Sequence, residues 1–182
     1  PFATNIVSWQ WAFDDGDFST EQNPSKKYFA PDVYDVTLRV TTLQGCSNTT
    51  ASGDHPIRVG DVPIPDFIWS SICNNDSTKF RDISDSGDIS VITDYIWDFD
   101  DGFVLEGAAD AGVPAGYHDG RTTGTLNAPN HKYDSYGQYD VRITVKTNDG
   151  CVNTVSRKVF ILPYSTVSLD TAAYKESFET SD

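Results

Sequence analysis

Carboxylates are the side chains in this sequence whose grouping suggests chemistry. Asp82, Asp85 and Asp88 precede a strand-like stretch, and Asp98, Asp100 and Asp101 end it. A calcium ion takes about six to eight oxygen ligands, and clustered aspartates supply them. If the loops before and after that stretch meet at one pole of a fold, Asp85, Asp88, Asp98 and Asp101 form a candidate calcium site. The competing reading is an ordinary turn, in which aspartate accepts a hydrogen bond from nearby backbone. The spacing is not that of an EF-hand loop.

Other chemistry is poorly served. The histidines His55, His118 and His131 lack zinc-ligand spacing. There is no Gly-x-Ser-x-Gly stretch and no cysteine–histidine nucleophile signature. The sequence predicts no catalytic residues, no activity of its own and no certain cofactor besides the candidate calcium. Trp9 and Trp69 are candidates for stacking on sugars, but Trp9 is in phase with Trp11, so burial is its default. With 13 Lys and Arg against 27 Asp and Glu, the net charge is −14, which disfavours binding to nucleic acid. No run of about 18 apolar residues exists to insert in a membrane.

The elements that must position these groups come in two copies. Trp11-Ala12-Phe13-Asp14-Asp15-Gly16 returns as Trp97-Asp98-Phe99-Asp100-Asp101-Gly102. On a strand, a tryptophan and a phenylalanine two apart point to one face, and the acidic Gly turn stops the strand. Pro24 and Tyr28 return as Pro129 and Tyr133, Tyr34 as Tyr139, and Cys46 as Cys151, with intervals of 4, 6 and 12 residues in both copies. Matching residue types at matching intervals indicate a tandem repeat of one domain. Alternation over Val7 to Phe13, Tyr34 to Val40 and Tyr139 to Val145 predicts half-buried strands, and nowhere is there a helical period. Between Gly102 and Pro129 lie 26 residues, against 7 between Gly16 and Pro24, so the second copy carries 26 − 7 = 19 extra residues. This inserted loop, 103–127, is expected at one pole as a variable contact surface.

Together, Trp-x-Phe-x-Asp-Gly, Asn-Pro-x-x-x-Tyr and Gly-x-Tyr-x-Val-x-x-x-Val resemble the PKD domain, an immunoglobulin-like β-sandwich of extracellular proteins. One departure stands in both copies. The family usually has glycine where this chain has Asp14 and Asp100. The resemblance implies an all-β chain of two tandem immunoglobulin-like (PKD-type) sandwiches. The first, 1–62, is expected to be N-terminally truncated, since only eight residues precede Trp9. The second spans 63–163, and 164–182 is a linker or the start of a following β module, for which Tyr174 to Glu179 is the only hint. His131 stands where such domains often carry histidine, so a structural hydrogen bond is expected there.

The resemblance further implies a non-catalytic extracellular or bacterial cell-surface spacer or adhesion segment. Its partners would be other domains of the same large protein, surface proteins or glycans. The alternative is an accessory region of a secreted hydrolase whose catalysis lies elsewhere. Some PKD-like repeats pair an early cysteine with one at the closing hairpin. By that likeness Cys73 and Cys151 are the expected disulfide, with Cys46–Cys73 across the junction as the alternative.

Overall fold

The computed structural model describes residues 5–53, 56–74, 76–109, 111–113 and 120–164. The described residues hold fourteen strands and no α-helix, so none is long and apolar enough to cross a membrane. The expected tail module at 164–182 lies almost wholly outside them, as do His55 and His118.

The second domain shows what the repeat encodes. Strand β9 (Ile92–Asp98) sends Tyr95 and Trp97 inward and Ile96 outward. Strand β13 (Gly137–Thr147) buries Val141, Ile143 and Val145 completely. A slip of one residue would turn each of these to solvent, so the alternation dictates the register. With β10 (Val104–Ala108) and β14 (Val152–Ile161) they form an antiparallel sheet in the order β10-β9-β13-β14. A second sheet runs β11-β12-β8-β7, from β7 (Phe67–Ser70), β8 (Thr78–Asp82), β11 (Thr122–Thr125) and β12 (Ala128–His131). Phe67 and Phe80 of the second sheet meet Trp97 at 5.3 and 5.7 Å between ring centroids. Phe80 reaches Phe99 at 5.3 Å. These rings are at most 2% exposed and form the centre of the sandwich.

The first domain repeats one of these sheets. Its β1 (Ile6–Ala12), β2 (Phe18–Ser19), β4 (Thr37–Thr42) and β5 (Ser47–Ala51) run β2-β1-β4-β5, matching β10-β9-β13-β14. Trp11 and Phe13 stack at 6.4 Å and 3°, as Trp97 and Phe99 do at 6.1 Å and 6°. No counterpart of β7 and β8 faces them among the described residues, so Trp11 stays half-buried while Trp97 is fully buried. The strand matching β13 is broken here into β3 (Asp32–Tyr34) and β4, with β3 pairing β6 (Ile57–Val59). Tyr34 pairs Ile57, whereas Tyr139 pairs Val159. From the hairpin cysteine these partners are 57 − 46 = 11 and 159 − 151 = 8 residues away, so the first copy carries three extra residues. They fall at the break, where the Ser52 hydroxyl accepts the Val36 N–H and donates to Asp35.

The described part of 103–127 is not a bare loop. It supplies an edge strand to each sheet, β10 beside β9 and β11 beside β12. Leu105 and Leu126 are 1% and 2% exposed, and the Leu126 carbonyl accepts the Trp97 indole N–H at 2.7 Å. The segment expected as a surface loop thus also places two leucines in the core, which its many glycines gave no sign of.

Candidate functional site

The acidic turn after each tryptophan has the same geometry twice. Asp14 and Asp100 sit at φ +63 and +61, a left-handed conformation that disfavours residues with a Cβ. This is the place where glycine was expected. Each aspartate makes a compensating contact. The Asp14 carboxylate accepts the Asp35 N–H at 3.0 Å, and Asp100 accepts the Asp140 N–H at 2.8 Å. Each turn is thereby tied to the strand that carries the second tyrosine.

The next aspartate holds a basic side chain in both domains. Asp101 Oδ2 lies 2.8 Å from Nε2 of His131, whose Nδ1 lies 2.8 Å from the Thr122 hydroxyl. His131 is fully buried and stacks on Phe99 at 4.1 Å. Two residues after the repeat's proline the first domain has Lys26 instead. Its ammonium pairs with Asp15 at 2.5 Å and also with Asp17, 5.5 Å from the Phe13 ring centre and 5.4 Å from that of Tyr28. The hydrogen bond from Lys26 holds the Asp15 carboxyl below the ordinary value of 3.8, and Asp15 in turn raises the Lys26 ammonium above 10.5. A hydroxyl, an imidazole and a carboxylate in line resemble a nucleophile triad. Here Thr122 is 1% exposed and both imidazole nitrogens are engaged, so the arrangement reads as a structural pin from β11 to the acidic turn.

The four candidate calcium ligands do not converge. Asp85 and Asp88 lie before β9, whereas Asp98 and Asp101 lie at its end, about 20 Å away for seven residues at ~3.3 Å each. Three of the four are engaged elsewhere. Asp85 caps Gly87 N–H at 2.9 Å, Asp98 caps Asp100 N–H at 3.0 Å and sits 3.4 Å from Arg142, and Asp101 holds His131. Among the described residues no group of three acidic, histidine or cysteine side chains has metal-binding geometry.

The cysteine pairing is corrected as well. All three are free thiols. Cys73 lies beside Leu162 past the end of β14, and Cys151 immediately precedes β14. Ten strand residues separate them by about 33 Å, whereas bridged cysteines have Cα atoms within about 7 Å. Cys46, at the matching hairpin tip of the first domain, is likewise free, so the Cys46–Cys73 alternative is not formed either. Trp69 tilts onto Phe67 at 5.7 Å and packs against the core. Trp9 is half-buried.

A polar cluster joins the two domains. Arg58 of β6 donates through Nε to Asp149 Oδ1 at 2.5 Å and through Nη2 to the Ile89 carbonyl. The Ser90 hydroxyl donates to Asp149 Oδ2 at 2.8 Å and accepts the Asp61 N–H at 2.8 Å. Asp61 accepts the Ile89 N–H at 2.9 Å, and the Asn153 amide donates to the Pro63 carbonyl at 3.0 Å. Pro63 and Pro65 are buried, and Ile64 between them exchanges two 2.9 Å backbone hydrogen bonds with Asp85. The hydrogen bond from Arg58 holds the Asp149 carboxyl below 3.8. A Cβ on Gly60 would collide with Asp149, and one on Gly87 with Asp61, so both approaches require glycine.

Two matches to the PKD domain cover residues 2–57 and 71–159, 56 + 89 = 145 of the 182 residues. The chain belongs to the PKD domain family. Both copies are PKD domains. The pre-pro-metalloprotease PrtV of two strains of Vibrio cholerae serotype O1 is 26% identical over 165 residues, 85% of this chain. The chain spans only 14% of the length of that relative. Among solved structures, the PKD1 domain of Vibrio anguillarum Epp matches at 22% identity and TM-score 0.42, covering 57% of this chain and 96% of that one. The PKD1 domain of the Vibrio cholerae metalloprotease PrtV matches at 21% and 0.41, covering 56% and 98%.

Sequence reasoning missed the joint between the PKD domains. Arg58 and Asp149 are 91 residues apart, and no local pattern links them. The one local signal is the Pro63-Ile64-Pro65 stretch, whose two prolines in three residues stiffen the chain there. Its burial against the second domain is a tertiary feature.

Proposed function

We propose that this segment is a non-catalytic extracellular spacer and adhesion unit of a modular cell-surface or secreted protein, which sets the distance and orientation of other modules and contacts proteins or glycans. The observation that carries this reading is the joint. Arg58, Asp61, Ser90 and Asp149 clamp the two PKD domains together, and the buried Pro63 and Pro65 leave the linker little freedom. A spacer works by resisting bending, and a joint closed by several polar contacts resists it better than a free tether. The chain's −14 charge keeps such a segment soluble and apart from its copies.

Residual dipolar couplings and small-angle scattering on the whole chain test this. One alignment tensor should fit both domains, and Asp149→Ala should separate the tensors. Independent tensors in the unaltered chain would overturn the reading. The similarity to part of a metalloprotease favours a second reading, an accessory region of a secreted hydrolase. Deleting this segment from the parent protein should then change hydrolysis of large substrates and leave small ones unaffected.

A further inference from the structure

The outer face of the first domain's sheet differs from its twin in one respect. In the second domain a cross-strand row runs Val104, Asp98, Arg142, and Asp98 and Arg142 fill its centre as an ion pair at 3.4 Å. The same row in the first domain is Phe18, Ala12, Thr37. Two short side chains replace the ion pair, and a depression of about 490 Å³ opens above them. Phe18, 77% exposed, stands on one side. On the other, one row along, Gln10 pairs with Arg39 and Arg39 with Thr49. The arginine has moved from facing an aspartate to facing a glutamine. Its Nη2 donates to the Ser47 hydroxyl at 3.2 Å, and no carboxylate among the described residues lies within ion-pair reach. In a chain of net charge −14, this exposed guanidinium keeps most of its five N–H donors free beside a hollow.

Strand spacing sets the size of the hollow. Phe18 and Arg39 are two strands and one row apart, roughly 10 by 7 Å at Cα level. That leaves room for one pyranose ring over Ala12 and Thr37. An aromatic face stacks on sugar C–H groups, hydroxyls and an amide match sugar hydroxyls, and a guanidinium takes a carboxylate bidentately. We propose that this face binds a carboxylated pyranose of an acidic polysaccharide or glycan, with Phe18 as the platform, Gln10 and Thr49 on the sugar hydroxyls, and Arg39 on the carboxylate.

The test is titration of the whole chain, followed by amide NMR, with tetragalacturonate, with sialyllactose, and with neutral galactotetraose. Either acidic sugar shifting the Gln10, Ala12 and Arg39 amides supports the site, and which one does so tells uronate from sialate. Arg39→Gln should weaken the acidic ligand roughly tenfold, the loss of one charge-assisted contact, and leave the neutral sugar's affinity unchanged. Phe18→Ala should weaken both. Both residues are exposed, so the variants should melt like the unaltered chain, and a collapse of melting would show the face to be structural and sink the proposal. Equal binding of acidic and neutral sugars, indifference to Arg39→Gln, or no shifts with any sugar at about 20 mM would overturn it too. None of these outcomes bears on the stiffness of the joint, which the dipolar couplings read separately.

Discussion

Asp100 accepts the backbone N–H of Asp140 at 2.8 Å from a left-handed turn position, and Asp14 holds Asp35 in the same way at 3.0 Å. One hydrogen bond thus offsets one strained residue in each domain, and the two effects can be separated by substitution. Asp100→Gly relieves the strain and loses the bond, for a net change within about 1 kcal/mol. Asp100→Ala loses the bond and keeps the strain, costing about 2 kcal/mol. Urea unfolding followed by near-ultraviolet signals reads both, and an alanine variant as stable as the glycine one would refute the account.

The paired tyrosines should respond unequally to loss of their hydroxyls. Tyr28 donates to the Phe13 carbonyl at 3.1 Å. Its twin Tyr133 is 2% exposed, its hydroxyl reaches no partner among the described residues, and burial pushes its phenol well above the ordinary range. Tyr28→Phe should cost about 1 kcal/mol, whereas Tyr133→Phe should be neutral or stabilising. Thermal melts of the two variants decide it, and the opposite order would be decisive against it.

The insertion is predicted to be indispensable. Leu126→Ala should cost about 2–5 kcal/mol, as a buried leucine truncated in a tight core does, and removal of 103–127 should unfold the second domain. Retention of methyl resonances for Val141, Ile143 and Val145 after the deletion would show that β10 and β11 are ornamental.

Acid should open the joint. The Asp149 carboxyl is depressed in the folded chain by Arg58. A depressed carboxylate contributes stability above its unfolded value, near 3.8, and that contribution is lost as pH falls through the folded value. Inter-domain order should therefore be constant at neutral pH and decline only below about pH 4. Lys26 runs in the other direction. Its ammonium is raised by Asp15, so its contribution is complete below 10.5 and lost as pH climbs through the higher folded value. Dipolar couplings across a pH series check the first, and alkaline melts of Lys26→Met against the unaltered chain check the second.

Gly60→Ala should disturb the joint without unfolding either domain, because the added Cβ meets Asp149 while both cores lie elsewhere. Separate alignment tensors with unchanged core resonances are the expected result. A single tensor would mean that the linker rather than the Arg58–Asp149 clamp orders the pair.

The sequence alone determined the repeat, the all-β class and the inward faces of β9 and β13, whereas in β1 the expected alternation holds from Trp9 onward and Val7 is exposed. The faces are written within about ten consecutive residues, as strand alternation and a turn that demands a left-handed residue, and the repeat in matching residue types at matching intervals. It also singled out Asp14 and Asp100 as departures, and there the turn's own geometry shows why the side chains are tolerated. Only the tertiary structure decided which distant groups meet. Asp85 and Asp88 are parted from Asp98 and Asp101 by the length of β9, and Cys73 from Cys151 by the length of β14. Arg58 and Asp149, 91 residues apart, are brought together because β6 ends where the β13–β14 hairpin begins its turn. Residue spacing along a chain says which face a side chain occupies. The direction and length of the strands between two loops decide whether those loops share a pole, and that is a property of the packed sheets.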